Sequence, residues 1–258
     1  MQDFLDAIVN GATAEELSAL PVPDHYRAAY VRRSDALMFE GTPSNEKDPR
    51  LSIQVGDVPT PELAPDEAYV AVMASSINFN TVWTSIFEPL PTFGFLDRLG
   101  RESRWGARHN LDHHVIGSDG AGVVIKVGSA VRNWKVGDQV VIHCNYVDDQ
   151  DPSSHNDSMK AANQRIWGYE TPDGSFAQFA RVQDRQCLER PKHLTWEESA
   201  CYTLTLATAY RMLFGHRPHV LRPGQNVLIW GASGGLGSYA VQLCAVAGAN
   251  AIGVISND

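Results

Sequence analysis

The chain has 258 residues, of which 43% are hydrophobic and 20% charged, and its formal net charge at pH 7 is −9. This composition is typical of a globular protein with room for more than one core, and the negative charge argues against nucleic acid or an anionic membrane as the main partner. The first residues include Asp3 and Asp6 but no basic segment of a signal peptide, and no apolar stretch is long enough to span a bilayer.

Two short helices and a long β-rich region are predicted first along the chain. Residues 1–25 form an N-terminal helical extension, in which Thr13 and Glu16 match the capping box of a second helix. Residues 26–194 are predicted to be mainly β-structure, because short apolar runs alternate with glycines and turn residues, as in "AYVAVMASSIN", "GAGVVIKVGS" and "KVGDQVVIH". An aromatic-rich stretch, 83–114, interrupts this pattern.

A linking helix, 195–217, is predicted to join the β-rich region to a glycine-rich segment at residues 218–258. The helical pattern extends from Thr195 to Phe214, and Thr195 with Glu198 forms another capping box. The order of these elements predicts a β-rich domain followed by a nucleotide-binding unit.

The segment 218–258 carries the pattern of the first βαβ half-unit of a dinucleotide-binding domain. Asn226–Trp230 is a short apolar run typical of a strand buried on both faces of a parallel sheet. The turn "GASGGLG" follows, then a helical pattern over 239–247 and a second strand over 249–255. Glycines at such a turn let the backbone approach a pyrophosphate at the N-terminus of a helix. A glycine-rich turn without a ligand is the alternative, but this order of elements favours a dinucleotide.

The choice of cofactor depends on a residue beyond the turn. Ser256 lies where an acidic side chain would bind the ribose 2′-hydroxyl of NAD, about 20 residues past the glycines. A neutral serine leaves room for a 2′-phosphate, so we predict NADPH, while the nearby Asp258 keeps NAD as an alternative. Besides Ser256, the predicted cofactor-binding residues of the turn are Ser233, Gly234, Gly235, Leu236 and Gly237.

Several motifs together resemble the medium-chain dehydrogenase/reductase superfamily: G-x-x-G-A-G-V-V, V-G-D-x-V, "TAY" and the glycine-rich turn. Within it, the chain is similar to the crotonyl-CoA carboxylase/reductase (enoyl-CoA carboxylase/reductase) family along "MASSINFNTVWTSIFEPLPTFGFL", "HHVIGSDGAGVV" and "RIWGYETPDGSFAQFA". The resemblance implies an α/β fold with a GroES-like β-rich catalytic domain and a Rossmann domain that is truncated in this chain. It also implies NADPH-dependent reduction of an α,β-unsaturated acyl-CoA, with CO2 captured at the α-carbon to give an alkylmalonyl-CoA such as ethylmalonyl-CoA.

The resemblance further implies a CO2 pocket formed by an asparagine, a glutamate and an aromatic ring, at Asn80, Glu170 and Tyr169. An amide can donate a hydrogen bond to a CO2 oxygen, whereas an ionised carboxylate only accepts and would hold a water or a neighbouring group. Tyr169 stands where some members carry phenylalanine, and its hydroxyl is a potential proton source. Two alternatives stay open: Asn78 in place of Asn80, and Glu170 as a solvated charge beside a β-turn at 172–174.

Thr208 of the "TAY" motif stands where the superfamily contacts the nicotinamide carboxamide, with helix packing as the alternative. Gly117-Ser118-Asp119 replaces the Gly-His-Glu of zinc alcohol dehydrogenases, and the cysteines of their structural-zinc lobe are absent. The adjacent pair His143-Cys144 does not make a metal site, so we predict none. The four scattered cysteines favour reduced, mostly buried thiols in a cytoplasmic protein.

Two other functions fit the same sequence: a zinc-independent NADPH enoyl-thioester or quinone reductase without carboxylation, and a non-catalytic NADPH-binding structural partner. The family resemblance implies a homotetramer that takes an acyl-CoA and CO2. A doubly wound dinucleotide domain has six strands, and only two are predicted here. We therefore expect the rest of the sheet and the 2′-phosphate contacts in a further C-terminal part of the same polypeptide, where the resemblance also implies the family's catalytic histidine.

Overall fold

A computed structural model describes residues 1–102, 106–215 and 220–256, without the side chain of Glu102. The chain separates into two units, Met1–Ala200 and Cys201–Asp258, and each is described by itself. No helix in the described ranges is both long and apolar enough to cross a membrane.

The first unit is built mainly from antiparallel strands. A three-stranded sheet, in the order β2-β1-β4, consists of β1 His25–Arg32, β2 Gln54–Pro59 and β4 His113–Val115. A five-stranded sheet, in the order β10-β6-β5-β3-β9, consists of β3 Glu67–Ser75, β5 Gly120–Val127, β6 Gln139–Ile142, β9 Phe179–Gln183 and β10 Cys187–Glu189. The short strands β7 Asn145–Tyr146 and β8 Arg165–Ile166 pair with each other. This is the β-rich region that the alternating apolar pattern predicts.

Helices surround these sheets. They are α1 Gln2–Val9, α2 Ala14–Ala19, α3 Pro49–Ser52, α4 Phe79–Ile86, α5 Thr92–Glu102 and α6 Trp196–Ala200. Short 3-10 helices lie at Arg33–Asp35, Ser44–Glu46, Gly106–His109, Pro152–Ser154, Ser158–Lys160 and Asp184–Gln186. The capping box predicted for the second helix is present, since Glu16 N donates to Thr13 Oγ1 at 3.2 Å and Thr13 N donates to Glu16 Oε2 at 2.8 Å.

The core of this unit lies on both faces of the five-stranded sheet, because alternate residues of a strand point to opposite faces. On one face, Tyr69 and Ala71 of β3 pack with Phe4 of α1 and Leu17 of α2. On the other face, the neighbouring β3 residues pack in a second cluster with Trp167, which is 1% exposed. The N-terminal helices therefore cover one face, and the segment that contains Trp167 covers the other.

A buried ion network ties strands of the sheet to the segment that carries the candidate site. Arg108 contacts the Glu67 carboxylate twice, at 3.0 and 2.9 Å. Arg181 of β9 pairs with Asp173, and its Nε lies 3.7 Å from Glu67 Oε2. Each buried charge thus has an opposite charge beside it, which is the condition for burying ions at tolerable cost.

The second unit contains a βαβ arrangement. Strands β11 Asn226–Trp230 and β12 Asn250–Val254 are parallel, and helices α7 Thr203–Phe214 and α8 Gly235–Val246 pack with each other. The predicted burial of β11 on both faces is wrong for this chain: Ile229 is its buried residue, and Trp230 is 75% exposed. In the described part of the chain β11 pairs only with β12, so its other edge and much of its surface are uncovered.

The single helix predicted from Thr195 to Phe214 is also wrong. Helix α6 ends at Ala200 and α7 starts at Thr203, with Tyr202 at its N-cap. The two residues between the helices, Cys201 and Tyr202, and the first residue of α7, Thr203, all have low helix propensity. The end of the predicted linker, from 216 to 217, lies outside the described residues.

Candidate active site

Helix α4 carries Asn80 in its first turn, and its N-cap is Asn78. Asn78 has structural partners: its backbone N–H donates to Thr81 Oγ1 at 3.3 Å, and its amide donates to Asp119 Oδ2 at 2.8 Å. The Asn80 amide instead donates a long hydrogen bond of 3.5 Å to Ser118 Oγ. Asn78 therefore fixes the start of the helix, and Asn80 presents its amide beside Ser118.

The turn that carries Tyr169 and Glu170 packs backbone against backbone on the segment after β4. Gly168 has φ +70°, and a Cβ built on it would lie only 1.8 Å from the Gly117 carbonyl oxygen. Further along, Val115 N donates to Pro172 O at 2.9 Å and Ser175 N donates to Gly117 O at 3.0 Å. Only glycine at position 168 permits both this approach and this backbone conformation.

The segment Gly117-Ser118-Asp119 consequently joins the two parts of the candidate site. Gly117 lies against the turn at Gly168, while Ser118 and Asp119 reach the start of α4. Asp119 also accepts a hydrogen bond of 3.2 Å from Ser76 Oγ. Residues far apart in the sequence, Asn80 and Glu170 among them, are thus held around one buried loop.

An aromatic contact brings Tyr169 to α4. The rings of Tyr169 and Trp83 lie 6.3 Å apart at 47°, and Trp83 follows Asn80 by three residues on the helix. Residues three apart share a helix face, so Tyr169 lies on the Asn80 side of α4. Phe79, 5.8 Å from Trp83, extends the aromatic surface and is 76% exposed.

Glu170 is partly buried, and its carboxylate is held by backbone. Its Oε2 accepts from Ile166 N at 2.8 Å, and its own N–H donates to Ile166 O at 2.7 Å. Burial raises the pKa of the Glu170 carboxyl, opposed by the Ile166 N–H. Burial also raises the pKa of the Tyr169 hydroxyl, and the neighbouring Glu170 adds to this, so the hydroxyl keeps its proton at neutral pH.

The segment 172–174, which the alternative interpretation of Glu170 takes as a β-turn, is buried. Asp173 is buried at 6% exposure, forms a bridge to Val115 and pairs with Arg181. The interpretation of Glu170 as a fully solvated charge beside such a turn therefore loses its support, because the segment packs inward rather than reversing at the surface.

His114 and Thr171 were not among the predicted site residues, yet both hold the turn. His114 is fully buried, and its Nε2 lies 3.1 Å from the Gly168 carbonyl oxygen. The Gly168 N–H donates to Thr171 Oγ1 at 3.1 Å. Burial lowers the pKa of His114 to about 4, so the imidazole is neutral and donates from Nε2. The sequence "HHV" contains two adjacent histidines, and no local pattern shows which of them is buried.

The glycine-rich turn of the second unit has the shape that a pyrophosphate requires. Gly231 has φ +65°, and a Cβ on Gly237 would lie 2.2 Å from the Gly231 carbonyl oxygen. Gly234 is the N-cap of α8, and the first N–H groups of a helix have no acceptor within the helix. Four residues of this turn are exposed and open to a ligand: Ser233, Gly234, Gly235 and Leu236. These residues fit a dinucleotide phosphate.

The other predicted cofactor residues are also exposed. Thr208 lies on α7, and its hydroxyl donates to Leu204 O at 2.7 Å, which leaves the oxygen as an acceptor. Ser256 follows the end of β12. Asp258, on which the NAD alternative depends, lies outside the described residues. On the same helix as Thr208, Thr205 has a buried hydroxyl without a hydrogen-bond partner in the described ranges.

Asp119, which stands in the segment that replaces the alcohol dehydrogenase Gly-His-Glu, and the adjacent pair His143-Cys144 have partners or surroundings other than a metal. The Asp119 carboxylate accepts from Asn78 and Ser76, and His143 Nδ1 accepts from Asn145 N at 3.0 Å. Burial raises the pKa of the Cys144 thiol to about 12. No group of three or more His, Cys, Asp or Glu is arranged to hold a metal ion in the residues that the structure describes.

Comparison with known families places the chain. Residues 64–192 match the family described as the alcohol dehydrogenase GroES-like domain. The chain belongs to the alcohol dehydrogenase GroES-like domain family. This match and the parallel βαβ arrangement confirm the predicted fold class, a GroES-like domain with part of a Rossmann domain.

Three relatives of this GroES-like protein are informative. It is 52% identical over 259 residues to a crotonyl-CoA reductase of Streptomyces avermitilis, covering all of this chain and 58% of the relative. It is 56% identical over 212 residues to a crotonyl-CoA carboxylase/reductase of Cereibacter sphaeroides, covering 82% of this chain and 46% of the relative. It also matches the structure of the 2-octenoyl-CoA carboxylase reductase CinF in complex with NADP and 2-octenoyl-CoA, with a TM-score of 0.95 and 50% identity over 98% of this chain and 57% of that one. The predicted resemblance is confirmed, and the chain spans less than two thirds of these relatives.

Proposed function

We propose that the protein is an NADPH-dependent enzyme that reduces an α,β-unsaturated acyl-CoA, of the crotonyl-CoA kind, and captures CO2 at the α-carbon. The product is an alkylmalonyl-CoA such as ethylmalonyl-CoA. Identity of 50–56% to proteins named as reductases or carboxylase/reductases of such thioesters supports this. The observation that carries the proposal is the grouping of Asn80, Tyr169 and Glu170 around the loop at residues 117–119.

The cofactor residues follow from the second unit. The open turn from Ser233 to Gly237 would hold the pyrophosphate, Thr208 would accept from the carboxamide, and Ser256 would leave room for a 2′-phosphate. NADPH, when bound, supplies the hydride for the β-carbon. We propose NADPH over NAD because the position at the end of β12 is a neutral serine.

In the first unit, each residue of the grouping has a separate task. Asn80 gives one amide hydrogen to Ser118, and its other amide hydrogen would donate to a CO2 oxygen. Glu170 uses Oε2 for the Ile166 N–H, and its second oxygen would hold a water or polar group at the pocket. The Tyr169 and Trp83 rings would limit the access of bulk water to the CO2, while the Tyr169 hydroxyl, which keeps its proton, would be a competing proton source for the α-carbon.

The test is the ratio of carboxylated to simply reduced acyl-CoA at saturating bicarbonate, measured on the protein expressed as its full natural polypeptide. One hydrogen bond is worth about 0.5–1.5 kcal/mol net, so Asn80→Leu and Glu170→Gln are expected to lower the ratio by about 2- to 13-fold while NADPH oxidation continues. Tyr169→Phe is expected to raise the ratio. Asn45→Leu and Glu189→Gln, at exposed positions, are the matched controls.

The outcomes separate the candidate functions. If the unchanged protein oxidises NADPH with an enoyl-CoA but forms only the saturated product, it is a simple reductase. If it oxidises no NADPH with any enoyl thioester or quinone, it is a binding partner. If Asn80→Leu and Glu170→Gln lose both products in equal proportion, the assignment of the pocket is wrong.

We also propose a homotetramer located in the cytoplasm, on the strength of the family resemblance and the reduced thiols. Within the described residues none of the four cysteines forms a disulfide: Cys144, Cys187 and Cys244 are buried, and Cys201 is exposed. Light scattering on the purified protein measures the mass of the assembly, and a monomer or dimer at micromolar concentration would contradict the tetramer.

A further inference from the structure

Gly168 precedes Tyr169, and side chains bind both of its backbone polar groups, the carbonyl and the N–H. His114 of β4 donates from Nε2 to the Gly168 carbonyl at 3.1 Å, and Thr171 accepts from the Gly168 N–H at 3.1 Å. The Gly168 carbonyl is part of the peptide bond to Tyr169. His114 therefore fixes the carbonyl end of that peptide, while its N–H, that of Tyr169, donates to Ile166 O at 3.2 Å.

Glu170 depends on the same turn. Apart from the charges of neighbouring arginines, the polar contacts described for Glu170 are those to Ile166, two strictly local hydrogen bonds of 2.8 and 2.7 Å. Tyr169 N also donates to Ile166 O, at 3.2 Å. These local bonds shape the turn but do not anchor it to the rest of the unit. The turn is linked to β4 and its loop by the His114 side chain, by the close approach of Gly168 to Gly117, and by two backbone hydrogen bonds further along, Val115 N to Pro172 O and Ser175 N to Gly117 O.

His114 cannot itself touch a substrate, because its side chain is fully buried. Its only described hydrogen bond is the one to Gly168, and Nδ1 has no partner in the described part of the chain. Loss of the donor would leave the buried Gly168 carbonyl without its partner, an unfavourable state that rotation of the peptide relieves. That rotation would change the position of the Tyr169 ring relative to Trp83, from which it lies 6.3 Å in the structure.

We propose that His114 is a positioning residue, which holds the carbonyl of the Gly168–Tyr169 peptide and thereby fixes the Glu170 carboxylate and the Tyr169 ring at the places where CO2 capture is favoured over protonation. This inference rests on the proposed function. His114 lies outside the pocket but would thereby influence the ratio of carboxylated to reduced product. Thr171 would have the same effect by accepting from the Gly168 N–H.

The test compares three variants of the protein expressed as its full natural polypeptide. His114→Leu removes the donor, His114→Gln replaces it with an amide donor, and Thr171→Val removes the acceptor on the other side of Gly168 with little change in volume. The control is Val115→Ala, the next buried residue of β4, which creates a cavity but keeps the His114 bond. For each, we measure the product ratio at saturating bicarbonate, NADPH oxidation and the midpoint of thermal unfolding.

We expect His114→Leu and Thr171→Val to lower the carboxylated-to-reduced ratio by about 2- to 13-fold, the equivalent of one hydrogen bond. His114→Gln should restore the ratio to within about 2-fold, and Val115→Ala should lower the unfolding midpoint without changing the ratio. If His114→Leu does not fold, the inference is tested by the product ratios of the other two variants, which should be lowered in Thr171→Val and close to that of the unchanged protein in His114→Gln. A wild-type ratio in Thr171→Val and His114→Leu, or an equal shift in Val115→Ala, overturns the inference. Absence of carboxylated product from the unchanged protein instead overturns the proposed function itself.

Discussion

Replacement of Gly168 by alanine tests the contact that brings the two parts of the candidate site together. Gly168 has φ +70°, and a Cβ there would lie 1.8 Å from the Gly117 carbonyl oxygen, 2.7 Å from the Gly117 carbonyl carbon and 3.2 Å from Gly174 Cα. All three neighbours are backbone atoms, which cannot move aside as a flexible side chain can. Gly168→Ala must therefore shift one of two packed segments.

The expected loss in the free energy of unfolding has two contributions, one from backbone conformation and one from overpacking. An L-residue in the left-handed region costs about 1–2 kcal/mol, and overpacking against backbone costs a further 1–3 kcal/mol, roughly. We expect Gly168→Ala to lower the free energy of unfolding by about 2–5 kcal/mol. The matched control is Gly41→Ala, since Gly41 has φ +77° but nothing within 4 Å of its built Cβ. The control carries only the conformational part.

The assay is urea unfolding of both variants beside the unchanged protein, with the product ratio as a second measurement. Because the shift moves Tyr169 and Glu170, Gly168→Ala is also expected to favour the reduced product over the carboxylated one, whereas Gly41→Ala is not. If the two variants lose the same free energy of unfolding, the close approach of Gly168 to Gly117 is refuted, and with it the geometry proposed for the pocket.

Two further predictions concern the buried charges and histidines. Arg181→Met leaves the Asp173 carboxylate buried without its partner, so we expect the free energy of unfolding measured in urea to fall by about 3–5 kcal/mol. The control Arg185→Met breaks an exposed pair and should lower it by about 0–1 kcal/mol. Similar losses of free energy in both variants would contradict the buried ion network. Burial lowers the pKa of His109 and His114 from 6.5 to about 4, so the native state binds fewer protons than the unfolded state below pH 6.5. Above pH 6.5 these histidines should therefore not affect the free energy of unfolding. It should fall as the pH drops from 6.5 towards 4, by up to about 3 kcal/mol for each histidine, and level off below pH 4. The thermal midpoint measured against pH checks this, and a His114→Gln profile parallel to that of the unchanged protein would speak against it.

Local patterns in the sequence are sufficient for elements whose geometry depends on neighbours a few residues away. The capping box of Thr13 and Glu16 satisfies the start of its own helix. The "GASGGLG" turn predicts a strand, a helix and a parallel strand, and β11, α8 and β12 follow in that order. The resemblance to known reductases also follows from contiguous motifs, which a single sequence displays in full.

The tertiary structure alone decides which distant residues meet. Gly117 and Gly168 are far apart in the chain, and the sequence around either glycine does not indicate that the two meet. Their approach depends on how the segment after β4 packs against the segment after β8. The same packing buries Asp173, within a segment that one interpretation of the sequence takes as a β-turn, and selects His114 rather than its neighbour as the partner of Gly168. Sequence patterns report interactions between near neighbours along the chain, whereas burial and long-range hydrogen bonds depend on the whole fold, so the positions of Tyr169 and Glu170 become defined only when the unit is packed.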